Sequence, residues 1–171
     1  MVLIDDIQIF LMTHNRADLI SESLESLLSQ TAGVKEITVL DNESADNTEA
    51  VVSSFFQRGV KYQKTVGFLG NFNFAHENAS KKYVMLFHDD DILHPEYLEK
   101  VLEILNKEKK IAAVYSRYTE FWNKNSPKSL SEIKTTIQNE GGVLPIQKFQ
   151  RIRNLHVLSG SHRICNSRVQ N

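Results

Sequence analysis

The sequence predicts a doubly wound α/β domain, with helices flanking a mostly parallel sheet. Three observations lead there. Short apolar runs of strand length alternate with longer segments whose apolar residues recur at helical spacing. The strand-like runs are apolar on both faces, as strands covered from two sides must be. Each helical segment lies between two such runs, so it acts as a crossover that brings the next strand in parallel and right-handed.

In chain order, Ile7 to Met12 is the first strand, followed by the polar turn Thr13-His14-Asn15-Arg16. Ala17, Ile20, Leu24, Leu27 and Leu28 form the apolar stripe of a first helix, with Ser21, Glu22, Ser23 and Glu25 on the opposite face. Gly33 suits the exit from that helix. Ile37 to Leu40 is the second strand and ends in Asp41. A polar stretch, 42–47, then offers Ser44, Asp46 and Asn47 as N-caps for a second helix carrying Ala50, Val51, Val52, Phe55 and Phe56. Gly59 marks its exit, and Val60 to Thr65 reads as a third, more exposed strand. Gly67 and Gly70 bracket a turn, and a short helix covers Asn71 to Ser80. Tyr83 to Phe87 is the most apolar strand and runs into His88-Asp89-Asp90-Asp91. Pro95 sits near the first turn of a helix, where its missing N–H costs little. That helix buries Tyr97, Leu98, Val101, Leu102 and Leu105, and Ile111 to Tyr118 forms another strand. After about Phe121 the chain turns polar. A helix is expected around Pro145 to Leu155, and 159–171 carries no clear pattern.

Composition narrows the function classes. With 171 residues and 19.6 kDa the chain reads as one domain, 1–171. Twenty Lys and Arg against 21 Asp and Glu give a net charge of -1, so no basic field exists to hold a nucleic acid. One cysteine, Cys165, excludes an internal disulfide framework and a multi-Cys zinc site. No apolar run approaches the roughly 18 residues of a membrane span, and Asp5 and Asp6 stand where a secretory leader carries positive charge. The expectation is a cytoplasmic domain.

The three consecutive carboxylates Asp89 to Asp91 follow the most buried strand. Open α/β sheets bind ligands in the crevice beyond the carboxyl ends of their strands. Carboxylates packed this closely repel one another unless a cation is shared, and a hard divalent ion such as Mg²⁺ or Mn²⁺, completed by phosphate oxygens, is the usual solution. The competing reading is a solvated turn with helix N-cap character, since Asp favours both. Thr13, Asn15 and Arg16 after the first strand, and Asp41 and Asn42 after the second, could face the same crevice. Each alone is ordinary turn chemistry; three polar exits on one sheet edge together suit a base and ribose beside a metal-bound diphosphate.

In order, Thr13-His14-Asn15-Arg16, then Val39-Leu40-Asp41-Asn42-Glu43-Ser44-Ala45-Asp46-Asn47-Thr48, then His88-Asp89-Asp90-Asp91-Ile92-Leu93-His94-Pro95 resembles the family 2 glycosyltransferases of GT-A fold. Gly70-Asn71-Phe72-Asn73, with Ala79 and Tyr83, is similar to a further block of that family, and the resemblance covers roughly residues 5–120.

The resemblance implies a nucleotide-sugar donor, UDP-sugar foremost, and a saccharide or lipid-linked acceptor in cell-surface polysaccharide synthesis. It places Thr13, Asn15, Arg16, Asp41, Asn42, Asn73 and Asp89 around the donor nucleotide, and Asp90 and Asp91 on a Mn²⁺ or Mg²⁺ ion, with Asp90 in direct contact. The chain departs from the family pattern at Asn42, His88 and Phe72, where many members have an acidic residue, Asp and Arg. A general base is expected well downstream of the acidic motif. Glu120, Glu132 and Glu140 lie there, none in the expected context, and no catalytic base is assigned. The resemblance divides the chain into a donor-binding half, 1–120, and a partial acceptor-side region, 121–171, short for the family and suggestive of a truncated transferase.

Two alternatives follow from the same motifs. One is an incomplete domain that binds nucleotide and metal without an acceptor site or base. The other is a sugar-nucleotide nucleotidyltransferase, which needs a Gly-rich basic loop after the first strand; Thr13 to Arg16 contains no glycine. His14 is read as a packing residue, and His88 and His94 as turn and cap residues. The basic segment with Lys148, Arg151 and Arg153, interleaved with Phe149 and Ile152, reads as an amphipathic helix over the sheet or, alternatively, as a peripheral contact with anionic lipid at the inner membrane face.

Overall fold

A computed structural model describes residues 1–107, 111, 113–114 and, as backbone, 156–159. The elements run β1 (Ile7–Thr13), α1 (Ile20–Leu28), β2 (Ile37–Asn42), α2 (Thr48–Ser53), β3 (Val60–Thr65), α3 (Phe68–Glu77), β4 (Tyr83–His88), α4 (Tyr97–Lys107), β5 (Ala113–Val114) and β6 (His156–Ser159). The strands form one sheet in the order β3-β2-β1-β4-β6-β5, and every adjacent pair is parallel. This is the α/β architecture with flanking helices expected from the alternating pattern.

The two-residue period of the strands sends alternate side chains to opposite faces. Ile7, Ile9 and Leu11 of β1, Ile37 and Val39 of β2, and Tyr83, Met85 and Phe87 of β4 join one core. Against them pack Ile20, Leu24 and Leu27 of α1, Val52 of α2, and Leu98, Val101 and Leu105 of α4. Phe10, Leu40 and Val84 point the other way and meet Ala75 and Phe74 of α3. The Phe10 and Phe74 rings stand edge to face, 6.5 Å apart at 86°. Both faces of β1, β2 and β4 are therefore covered, which explains why their sequences lack a polar alternation.

Strand order decides where a ligand can sit. The chain lays β2 and β3 on one side of β1, then crosses to place β4 on the other side. The reversal between β1 and β4 opens a crevice at the carboxyl ends of the two strands. Register brings those ends level: Thr13 pairs with Asp41, and Met12 pairs with both Leu40 and His88.

Several boundaries differ from the sequence expectation. α1 starts at Ile20, because the segment before it turns on bonds from the Leu19 and Ile20 N–H groups to the Arg16 carbonyl. Ser23 was expected on the solvent face but is buried at 1% exposure, since it lies on the same stripe as Ile20 and Leu27. α2 ends at Ser53, and a 3-10 turn, Phe56–Arg58, leads to Gly59 at φ +86°. The Gly67–Gly70 segment is the first turn of α3 and not a separate turn: Gly67, at φ +73°, redirects the chain, and its carbonyl accepts from the Gly70 N–H at 2.8 Å. β6 was not expected. It carries only four residues, too few for a period to show, and it pairs between β4 and β5. Of the strand expected at 111–118, residues 111 and 113–114 are described, with 113–114 in the strand; the helix expected at 145–155, the basic segment 148–153, the downstream glutamates and Cys165 lie outside the described residues. Among the described residues no helix is long and apolar enough to cross a membrane.

Candidate functional site

Three strand exits converge at the crevice. After β1, the chain leaves through Thr13, which is buried, and then His14 and Asn15, which are exposed. Asn15 adopts a left-handed backbone at φ 52°. After β2, Asp41 is fully buried, and Glu43 is the second non-glycine residue at φ 52°. After β4 comes the acidic turn, with Asp89 at 7% and Asp91 at 2% exposure, and Asp90 between them more open.

The β1 and β4 exits are tied through Asp89. Its Oδ2 accepts the His14 N–H at 3.3 Å, and its Oδ1 lies 3.9 Å from Arg16 Nε. Burial raises the Asp89 pKa above the ordinary carboxylate value, and the neighbouring Asp90 charge adds to that; the Thr13 hydroxyl, the His14 N–H and Arg16 oppose it. Positive charge supplied by a ligand here would relieve the burden on Asp89.

The backbone of the acidic turn is clamped from α1. Ser23 Oγ lies 2.8 Å from the Asp89 carbonyl and 2.7 Å from the Asp91 carbonyl. Gln30 Nε2 donates to the His94 carbonyl at 2.8 Å, while its Oε1 accepts the Leu98 N–H at 2.9 Å. The Leu98 bond satisfies one of the orphan N–H groups at the start of α4. The backbone of the turn is thus positioned through its carbonyls.

The β2 exit is built differently. Asp41 Oδ1 accepts from the Ser44 N–H at 3.0 Å and the Ser44 hydroxyl at 2.5 Å, and Oδ2 accepts from the Tyr62 hydroxyl. Burial, followed by the bond to Asp41, raises the Tyr62 pKa well above its ordinary value. The Thr65 hydroxyl packs between the Asp41 carbonyl, at 3.1 Å, and the Asn71 side-chain oxygen.

The β1 and β2 exits are also laced to each other. Asn15 N–H donates to Ser44 Oγ at 2.8 Å, and Asn15 Oδ1 accepts the Ala45 N–H at 2.7 Å. Arg16 N–H donates to Thr48 Oγ1 at 3.1 Å and Ala17 N–H to Asp46 Oδ2 at 3.1 Å. His14 Nδ1 lies 2.5 Å from the Asn42 carbonyl and must be the donor there, because a carbonyl only accepts. Its Nε2 then faces Asn15 Nδ2 at 3.1 Å as the acceptor. His14 is therefore a loop tie and not a packing residue. Of the three N-cap candidates, Asp46 satisfies the first turn of α2 by accepting the Thr48 N–H at 3.0 Å, while Ser44 is committed to Asp41.

The structure brings Thr13, Asn15, Arg16, Asp41, Asn42 and Asp89 to one end of the sheet, with Asp90 and Asp91 alongside. Asn73 is exposed on α3; the α3 residue bonded to the β2 exit, through Thr65, is Asn71, buried at 3%. Ser23, Gln30 and Tyr62 had no sequence signal as site residues, because each acts across a contact far away in the chain; Asn71 stands in the Gly70-Asn71-Phe72-Asn73 block, where Asn73 was named in its place.

The donor set was tested for a divalent ion. Among the described residues no group of three or more His, Cys, Asp or Glu side chains is arranged to hold one. The described residues therefore build no protein-only cage. A Mg²⁺ or Mn²⁺ ion bound here would take one or two carboxylates and complete its shell with water and phosphate oxygens.

The comparisons with known proteins agree with this fold. The family model described as Glycosyl transferase family 2 matches residues 8–169. CgeD of Bacillus subtilis is 26% identical over 124 residues, covering 66% of this chain and 29% of that protein. A protein named "Uncharacterized glycosyltransferase" from Rickettsia felis is 32% identical over 147 residues, covering 84% of this chain and 23% of that protein. The Escherichia coli glucosyltransferase WfgD, named for UDP-Glc and an α-D-GlcNAc-diphosphoundecaprenol acceptor, is 31% identical over 123 residues, covering 70% of this chain and 48% of that protein. The chain thus spans less than half the length of each of these relatives. Among solved structures, Staphylococcus aureus TarS 1-349 in complex with UDP-GlcNAc superposes with a TM-score of 0.60 at 21% identity, covering 72% of this chain and 37% of that one, which shows a shared fold. The family match spans nearly the whole sequence and the strand order carries a crevice at the expected strand ends, so the chain belongs to glycosyl transferase family 2.

Proposed function

We propose that the chain binds a UDP-sugar at the carboxyl ends of β1, β2 and β4 and transfers the sugar to a hydroxyl of a saccharide or lipid-linked acceptor, in cell-surface polysaccharide synthesis at the inner face of the membrane. The single observation that carries the reading is the convergence of three polar exits at the strand-order reversal, with Asp89 joining two of them. WfgD, whose name states a UDP-sugar and a diphosphoundecaprenol-linked acceptor, supports the donor and acceptor classes.

In this proposal Thr13, Asn15 and Arg16 flank the base, and Asn42 and Asp89 face the ribose. Asp41, enclosed by Ser44 and Tyr62, holds the shape of the β2 exit beneath the nucleotide. Asn73 stands at the rim. Asp90, the most open of the three carboxylates, takes the divalent ion, with Asp91 behind it. A bound Mn²⁺ or Mg²⁺ supplies positive charge against the diphosphate as it leaves. Arg16, 43% exposed, keeps a guanidinium at the same edge and can shift from Asp89 toward phosphate oxygens.

The test is calorimetric titration of UDP with Mn²⁺ and then with a chelator, followed by assay of UDP release from UDP-sugars. Saturable, Mn²⁺-dependent binding with release of UDP is expected. No binding of UDP under either condition would remove the donor reading, and binding without UDP release from any sugar nucleotide would leave a binding domain and not a transferase.

A further inference from the structure

We infer that Ser44 is a positioning residue for the nucleotide site: its hydroxyl carries the constraint of the buried Asp41 carboxylate to the strained backbone of Asn15. The inference rests on the donor reading above.

The geometry is a three-member chain. Asp41 is fully buried. The Ser44 hydroxyl donates its single proton to Asp41 Oδ1 at 2.5 Å, which leaves the oxygen lone pairs as acceptors. One of them receives the Asn15 N–H at 2.8 Å. A hydroxyl that donates to a carboxylate becomes a better acceptor, because successive hydrogen bonds polarise one another.

Asn15 is where that constraint matters. It stands at φ 52°, a region that a non-glycine residue occupies at a cost and keeps only when its surroundings over-determine it. Two bonds with the β2 exit do so: the Asn15 N–H donates to Ser44 Oγ, and the Ala45 N–H donates to Asn15 Oδ1. The β2 exit itself uses a left-handed residue, Glu43, immediately before Ser44, with the Glu43 N–H bonded to the Asp41 carbonyl at 3.0 Å. Both loops are thus bent into unfavourable backbone, and the bends meet at one hydroxyl. Asn15 lies within the 13–16 turn, so the presentation of that turn to a nucleotide depends on Ser44 without Ser44 touching it.

The test is a cycle of variants read by calorimetric UDP affinity in Mn²⁺. Ser44→Ala is expected to weaken UDP binding about tenfold, the size of one charge-assisted hydrogen bond. Ser44→Thr, which keeps the hydroxyl, is expected to bind as the unaltered chain does. Asn15→Gly makes the left-handed backbone inexpensive, so adding Ser44→Ala to it should weaken binding less than about twofold further. A role confined to general stability would not produce that non-additivity or that rescue. Ser44→Gly, which deletes the same oxygen, replaces Ser44→Ala if the latter does not fold. Unaltered affinity in Ser44→Ala, or a full tenfold loss persisting on the Asn15→Gly background, overturns the role while leaving the donor reading intact. Failure of the unaltered chain to bind UDP overturns the donor reading and this role with it.

Discussion

Asp41 and Asp90 stand at the carboxyl ends of β2 and β4, with β1 between them in the sheet. Asp41 is fully buried, and its two oxygens take donors from the Ser44 backbone, the Ser44 hydroxyl and the Tyr62 hydroxyl. Asp90 stays partly open, and what is fastened around it is backbone: Ser23 bonds the carbonyls of the residues on either side. A carboxylate whose acceptor capacity is used by its own protein shapes a loop. On the proposed reading, a carboxylate held in place through its neighbours' carbonyls keeps that capacity for a ligand. The same residue type at equivalent strand ends can therefore serve architecture in one place and chemistry in the next.

The comparison can be broken most strongly at Asp41. Asp41→Ala leaves the Tyr62 hydroxyl and two Ser44 donors without their acceptor, and it should cost about 3 kcal/mol of folding stability. Urea unfolding measures this, and a midpoint equal to that of the unaltered chain would refute the architectural assignment. Asp90→Ala should do the reverse. Its effect on the urea midpoint should stay within about 0.5 kcal/mol, as for most exposed sites, while Mn²⁺-dependent UDP affinity falls on the order of 100-fold. Unchanged affinity would take Asp90 out of the metal role.

Tyr62 sharpens the Asp41 side with a smaller effect, seen only in alkali. Its folded pKa is raised above the ordinary 10.0, chiefly by burial and then by the bond to Asp41. Where the folded state binds the proton more tightly than the unfolded state, stability falls as pH rises. The contribution is fully present below about pH 10 and is lost as pH climbs from there toward the folded pKa. Tyr62→Phe should flatten that alkaline loss relative to the unaltered chain; parallel stability profiles between pH 9 and 11, on the order of two pH units, would show that the pair is not coupled.

The acidic turn, the β1 turn and the β2 exit were legible because each is a run of consecutive residues at the end of an apolar strand. Helix stripes such as Leu98, Val101 and Leu105 were legible for the same reason: a local period betrays the buried face. Ser23 was misread because a serine inside an amphipathic helix looks polar until the element packed against it is known. Asn71 and Asn73 stand two apart in one motif, and only the packing of α3 shows that Asn71 reaches Thr65. β6 was illegible because a short strand gains its stability from the neighbours it pairs with, β4 and β5, and not from its own residues.

Periodicity and the order of the polar turns were sufficient to name an α/β sheet and the family it resembles, and to single out one sheet edge as the proposed site. Those properties are local, and each is written within a dozen residues of chain. The tertiary structure alone decided that β4 crosses to the far side of β1, that Asp41 faces inward and that Asn15 meets Ser44 across 29 residues. Hydrogen bonds and burial depend on which groups meet in space, and a one-dimensional pattern carries no record of the partner.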